Sequence, residues 1–257
     1  STFTEQTTSY YYAKFINRTK TGHLISFSGN IRFISSEVSE DNQLIVSQIY
    51  STDKAGIKDG YYSSYNSANT IWCCNADGIS HFKYSGSTLE FLVQPSSFNT
   101  SSVQDPRSIT ICNDKVYVKN MGPYNHSVDM SKATIVSQYD LNTYEWSVMS
   151  LDNVIRDGNA SSKGALRSSF NMAFDPDSSE IFYVGSWFDG LHKFNGTKYV
   201  GNYNQHNSPL AHPWEMLDSF TDFDSDGNLW TIMVSNSLGT NSLLACLPAD
   251  KKIKDPA

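Results

Sequence analysis

Two stretches decide the reading of this chain: residues 69–86, NTIWCCNADGISHFKYSG, and residues 180–196, EIFYVGSWFDGLHKFNG. Each opens with an apolar strand carrying an aromatic, turns through Asp-Gly, and returns as an alternating strand that reaches a Phe. Period-two alternation marks a strand with two distinct faces, and glycine at the turn supplies backbone angles that other residues avoid. Residues 22–29, GHLISFSG, match the end of this pattern with one extra residue. Residues 135–140 (IVSQYD) fill the slot without the glycine, and 243–247 (LLACL) fill it loosely. The slot residues Phe27, Phe82, Tyr139, Phe194 and Cys246 are separated by 55, 57, 55 and 52 positions. Such even spacing points to a repeat, and its length suits a four-stranded propeller blade slightly longer than the common ones.

The expected fold is therefore all-β: a β-propeller of about five four-stranded repeats with a period near 55, at 1–40, 41–100, 101–150, 165–212 and 213–250. The whole of 1–257 reads as one propeller domain or a partial propeller cut from a longer chain. Residues 44–50, 108–112, 171–174 and 220–223 read as inner strands, and 70–74, 115–118, 181–187 and 229–234 as their neighbours. The first repeat is expected to begin at a second strand, 10–15. Turns fall at Asn113-Asp114, at Asp175-Pro176-Asp177 and at 224–228, where Asp and Asn accept local backbone hydrogen bonds and Gly takes positive φ. Helical signal is almost absent, with one or two turns expected at 150–159.

Composition agrees with this frame. Of 257 residues, 39% are hydrophobic, 13% aromatic and only 18% charged, a balance of strand formers and turn formers. No apolar run approaches the roughly 20 residues of a membrane helix, and residues 1–30 lack the apolar segment of a signal peptide. The start without Met suggests a cut piece. The formal charge of −7, without a basic block, argues against a nucleic-acid platform, since phosphate binding needs clustered Lys and Arg. The cysteines Cys73, Cys74, Cys112 and Cys246 have no CxxC spacing. They read as buried apolar fillers, with one long-range disulfide left open.

Residues 223–230, FDSDGNLW, resemble the two-component-regulator propeller repeat, roughly D-x-x-G-x-L-W. In this reading the turn is Asp-Gly-Asn, and Leu229 and Trp230 begin the next strand and pack between blades. Asp175-Pro176, then 183–196 (YVGSWFDGLHKFNG) and 203–210 (YNQHNSPL), look like the propellers of large exported Bacteroidetes proteins, above all those of PorZ type in type IX secretion. The resemblance implies an exported protein at the periplasm or outer-membrane surface, a lipoprotein or anchored ectodomain. Its implied partners are other proteins of a secretion complex, or lipopolysaccharide. Hybrid two-component sensors share the repeat, and for them it implies a periplasmic oligosaccharide ligand and a homodimer. The chain is shorter than either full architecture, and no ligand-binding motif carries over residue by residue.

Asp222, Asp224 and Asp226, with Asn228, alternate as in a calcium loop, but Met233 stands where an EF-hand from Asp222 requires Glu. An Asp-rich hairpin turn explains them without a metal. The six histidines form no HExxH, and neither a nucleophile elbow nor a Gly-rich phosphate loop appears. A catalytic carboxylate pair is set by distance in space rather than in sequence. The expectation is thus a non-enzymatic binding module without cofactor. Its ligand-binding candidates are Trp187, Phe188, Asp189, Tyr203 and Trp214, whose rings can stack on a sugar while Asp189 and nearby Asn take hydroxyls. The competing reading of these aromatics is blade packing.

Overall fold

The computed structural model describes residues 13–18, 22–27, 30–41, 44–51, 61–64, 70–75, 78–85, 88–96, 106–120, 135–151, 171–186, 190–203, 207, 218–233 and 243–251. All regular structure there is β, save a single 3-10 turn at Ala249–Lys251. The expected helical turn at 150–159 lies almost wholly outside the described residues. The chain divides into two compact units, Ser1–Ser97 and Phe98–Ala257, where the sequence suggests one domain.

The first unit holds two sheets. One is β1 (Ala13–Arg18), β2 (Gly22–Phe27), β3 (Asn30–Val38) and β4 (Leu44–Ser51); the other is β5 (Tyr61–Ser64), β6 (Thr70–Asn75), β7 (Gly78–Ser85) and β8 (Thr88–Ser96). Each is an antiparallel meander in sequence order. On β6, Cys73 and Cys74 point to opposite faces, yet both are fully buried. This sheet is therefore covered on both sides. Trp72 stacks on His81, its partner across β6–β7, with centroids 4.3 Å apart.

The second unit holds three more sheets. The third is β9 (Pro106–Cys112), β10 (Lys115–Asn120), β11 (Ile135–Asp140) and β12 (Trp146–Ser150). The fourth is β13 (Met172–Phe174), β14 (Ile181–Ser186), β15 (Gly190–Asn195) and β16 (Lys198–Tyr203). The fifth has three described strands, β17 (Asp218–Phe223), β18 (Leu229–Met233) and β19 (Leu243–Leu247). Turn chemistry is visible where the sequence places it. Asn113 and Asp114 take φ of 47° and 56°, the mirror-image turn whose twist matches a two-residue hairpin. The repeated glycines Gly78 and Gly190 have φ of 141° and 81°, which explains why the repeat needs glycine there.

The core lies between sheets. Tyr117, Val136 and Leu151 meet Met172, Phe182, Val184 and Phe194 in the seam between the third and fourth sheets. Tyr183, Leu191 and Tyr203 meet Leu229 in the seam between the fourth and fifth, with Phe223, Ala245 and Leu247 alongside. Because strand neighbours face opposite ways, Phe182 and Val184 serve one seam and Tyr183 the other. The first strands sit side by side. Thr110 Oγ1 donates to the Met172 carbonyl at 2.6 Å, and the Met172 amide donates to Ser108 Oγ at 3.2 Å. The Asn171 side chain receives the Thr221 amide at 3.0 Å and donates to the Thr221 carbonyl. Burial falls toward the last strand, with β14 and β15 interior and β16 mostly half-buried.

Three expectations change. Residues 44–51 form the fourth strand of the first sheet, so that sheet runs past 40 and β5 is the first strand of the next. The first sheet starts with its own first strand, β1, not with a second one. Phe27 lies on β2, whereas Phe82, Tyr139, Phe194 and Cys246 lie on the third strands of their sheets. Period-two patterning specifies faces but not a strand's rank, so one member of the even series falls there by coincidence of spacing. The cysteines differ also: none of the four is in a disulfide, Cys112 is half-buried and Cys246 exposed.

Candidate functional site

The turn from β17 to β18 is organised by one carboxylate. Asp224 Oδ1 accepts the Asp226 amide at 3.0 Å and the Asn228 amide at 2.9 Å; Oδ2 accepts Asn228 Nδ2 at 3.0 Å and Trp230 Nε1 at 2.7 Å. Gly227 supplies a φ of 77°. Asn228 Oδ1 in turn accepts the Ala249 amide at 3.1 Å, tying the turn to the chain after β19. Hydrogen bonding by the Trp230 indole, first among these donors, holds the Asp224 carboxyl at a pKa of about 2. A carboxylate has about four acceptor sites, and here all are used.

That accounting bears on the calcium candidates. Asp224 has no lone pair left for a cation, Asp222 Oδ1 accepts the Phe223 amide at 2.9 Å, and Asp226 is exposed. Among the described residues no group of three His, Cys, Asp or Glu side chains could hold a metal ion. Calcium would have to displace the donors that shape the turn.

Trp230 departs from its expected place. Leu229 is fully buried between the fourth and fifth sheets, but Trp230 points the other way and is 38% exposed. Ile232 and Leu244, cross-strand partners on that same face, are exposed too. Alternation along β18 forces the pair apart, so only one can face the fourth sheet. The family-like motif thus builds a rigid turn carrying a surface indole, a residue that the sequence assigned to packing.

We expect Asp224→Ala to release that indole. In a nitrogen–proton correlation spectrum the Trp230 Nε1–H signal should move upfield and exchange faster, while amides of β14 and β15 hold their positions. In the unsubstituted protein the signal should persist to pH 3, since a depressed carboxyl pKa keeps its hydrogen bonds until pH falls through about 2. An unchanged indole signal in Asp224→Ala would refute this account.

The aromatic candidates separate. Tyr203 is buried, with its ring 6.4 Å from that of Tyr183 in the seam between the fourth and fifth sheets. It closes β16 as a core residue, not as an open platform. Trp187, Phe188, Asp189 and Trp214 lie outside the described residues. The first three connect Ser186 to Gly190, which pair across β14 and β15. The Asn207 side chain donates to the Asn202 carbonyl at 2.7 Å.

Among the described residues, no helix is long and apolar enough to cross a membrane. No protein-family model and no curated protein matches the sequence. Solved structures do resemble it. The extracellular domain of BT4673 from B. thetaiotaomicron, described as a hybrid two-component system, superposes with a TM-score of 0.53 at 13% identity, over 95% of this chain and 28% of that one. PorZ, a surface component of the type IX secretion system of Porphyromonas gingivalis, shares 17% identity over 93% of this chain and 29% of its own, with a TM-score of 0.43. The chain thus spans less than a third of the length of these structures. They are the two kinds of Bacteroidetes protein that the sequence resembles, and at such low identity what the BT4673 superposition shows is a shared fold.

Proposed function

We propose that this chain is a propeller module, its sheets the blades, of an exported Bacteroidetes protein, and that it acts by binding rather than by catalysis. The observation that carries this reading is the arrangement of β9, β13 and β17 side by side at the heads of successive sheets, each sheet covering the next. The D-x-x-G-x-L-W turn supports it, because its Asp is spent on structure. The preferred role is that of a PorZ-like surface module docking secretion-complex proteins or lipopolysaccharide, on the strength of the 175–210 sequence series. The alternative is a periplasmic oligosaccharide-sensing ectodomain, which the superposition on the BT4673 domain favours. The loop at Trp187, Phe188 and Asp189 is the ligand contact in either case.

The test is binding to the chain with and without Trp187→Ala and Phe188→Ala. Immobilised lipopolysaccharide and purified type IX components are compared with a panel of neutral oligosaccharides by calorimetry. Lipopolysaccharide or component binding weakened at least tenfold by the substitutions supports the first role, and the same result with an oligosaccharide supports the second. Full binding by both variants removes the loop from the site. Turnover of any glycan, lost on replacing a carboxylate, overturns the non-enzymatic reading.

A further inference from the structure

His192 sits at the middle of β15 with no exposed surface. It pairs with Val184 across β14–β15, and residues directly opposite in an antiparallel pair share a face. Val184 and Phe194 both belong to the core between the third and fourth sheets, so the imidazole lies in that seam. The Tyr199 ring packs against it, with centroids 5.9 Å apart. Neither Nδ1 nor Nε2 has a hydrogen-bond partner, and Ser186 Oγ on the same face has none either.

Among the described residues, the opposing sheet offers no negative charge there. Lys119 faces the seam, two residues beyond Tyr117 and paired with Val136, and is itself fully buried. Tyr117, Cys112 and Tyr199 complete the titratable groups of that core, and burial pushes the Tyr117 and Cys112 pKa values up, keeping those two neutral. Asp140 is on this face by register, but beside Lys115 at the turn end, where its carboxylate accepts the amides of Asn142 and Thr143. From β12, β13, β14 and β16 the seam receives Met149, Met172, Phe174, Phe182, Val184 and Tyr199. An imidazolium formed here would have no counter-ion among the described residues and would face an amine.

We propose that the seam between the third and fourth sheets is an acid-sensitive joint that opens when His192 takes up a proton. Opening lets water reach the ring, so protonation favours the open form. Desolvation holds the His192 pKa near 4 in the closed seam, against 6.5 in water. From pH 7.5 to 5, linkage then multiplies the opening equilibrium by about 30-fold. The adjoining seam, built on Tyr183, Leu191, Tyr203 and Leu229, contains no histidine in its described core and stays closed.

Hydrogen exchange at pH 7.5 and pH 5, corrected for the intrinsic rate, tests this. Amides of β10, β11, β14 and β15 should lose about 30-fold in protection, while those of β17 and β18 change less than threefold. His192→Leu should abolish the difference. Equal loss in β17 and β18, or an undiminished loss in His192→Leu, overturns the proposal. Should His192→Leu fail to fold, the imidazole of the unsubstituted protein is titrated by NMR. A His192 pKa well below 6.5 supports the joint, and one at or above 6.5 overturns it.

Discussion

Phe182→Ala is expected to lower the unfolding free energy of the second unit by about 3–5 kcal/mol, the cost of emptying a well-packed aromatic site. Phe182 is 1% exposed and is held between Phe194, stacked at 5.3 Å, and Phe174 at 5.2 Å. Tyr117 packs against Phe174 from the third sheet at 4.6 Å. Alanine would therefore leave a cavity walled by rigid rings on strands whose backbones are pinned by their ladders, so little collapse can refill it. Urea unfolding followed by circular dichroism should show a lower midpoint with an unchanged slope. Phe182→Leu should retain more than half of the lost stability. Leu244→Ala, at a side chain 59% exposed, should stay within about 0.5 kcal/mol of the unsubstituted protein. A Phe182→Ala loss below about 1 kcal/mol would mean that the third and fourth sheets do not share this core.

The second large effect concerns Lys119. Its side chain is fully buried, and the cost of desolvating an ammonium lowers its pKa from 10.5 to about 7. Between those values the unfolded chain holds a proton that the folded chain has released. Stability therefore rises as pH rises from about 7 toward 10, by an amount bounded by about 5 kcal/mol at 1.36 kcal/mol per pKa unit. The window closes near pH 10, where burial holds the Tyr117 and Tyr139 phenols above their ordinary value and the unfolded state ionises first. Lys119→Met keeps the length of the stem and removes the charge. It should flatten the dependence between pH 7 and 10 and raise stability at pH 6, as replacing buried charge by packed apolar atoms often does. Chemical denaturation at four pH values checks both expectations. An identical pH slope in Lys119→Met would show that the amine is not responsible.

Much of the fold was legible because its signals are local. Asn113-Asp114 forms the tight hairpin that short polar side chains allow. Asp224 and Gly227 build a turn in which every donor to the Asp224 carboxylate comes from the next six residues. Gly78 and Gly190 recur because their backbone angles exclude side chains. The rank of residues 44–51 was not legible, since an inner and an outer strand carry the same alternation. Cys246 misled for a related reason: an apolar run predicts a strand, but not whether a neighbour covers both of its faces.

The candidate site divides along the same line. The spacing of Asp222, Asp224 and Asp226 invites a cation, and only the hydrogen bonds reveal that Asp224 is already saturated. Tyr203 has the composition of a ligand platform, yet the neighbouring sheet covers it. By itself the sequence determined the all-β class, the principal turns and the two protein kinds the chain resembles, because strand alternation and turn angles depend on adjacent residues. The tertiary structure alone decided that Trp230 faces out while Leu229 faces in, that Tyr203 is core, and that His192 and Lys119 share one seam. Those outcomes depend on which sheet lies against which face, and residues far apart in sequence settle that.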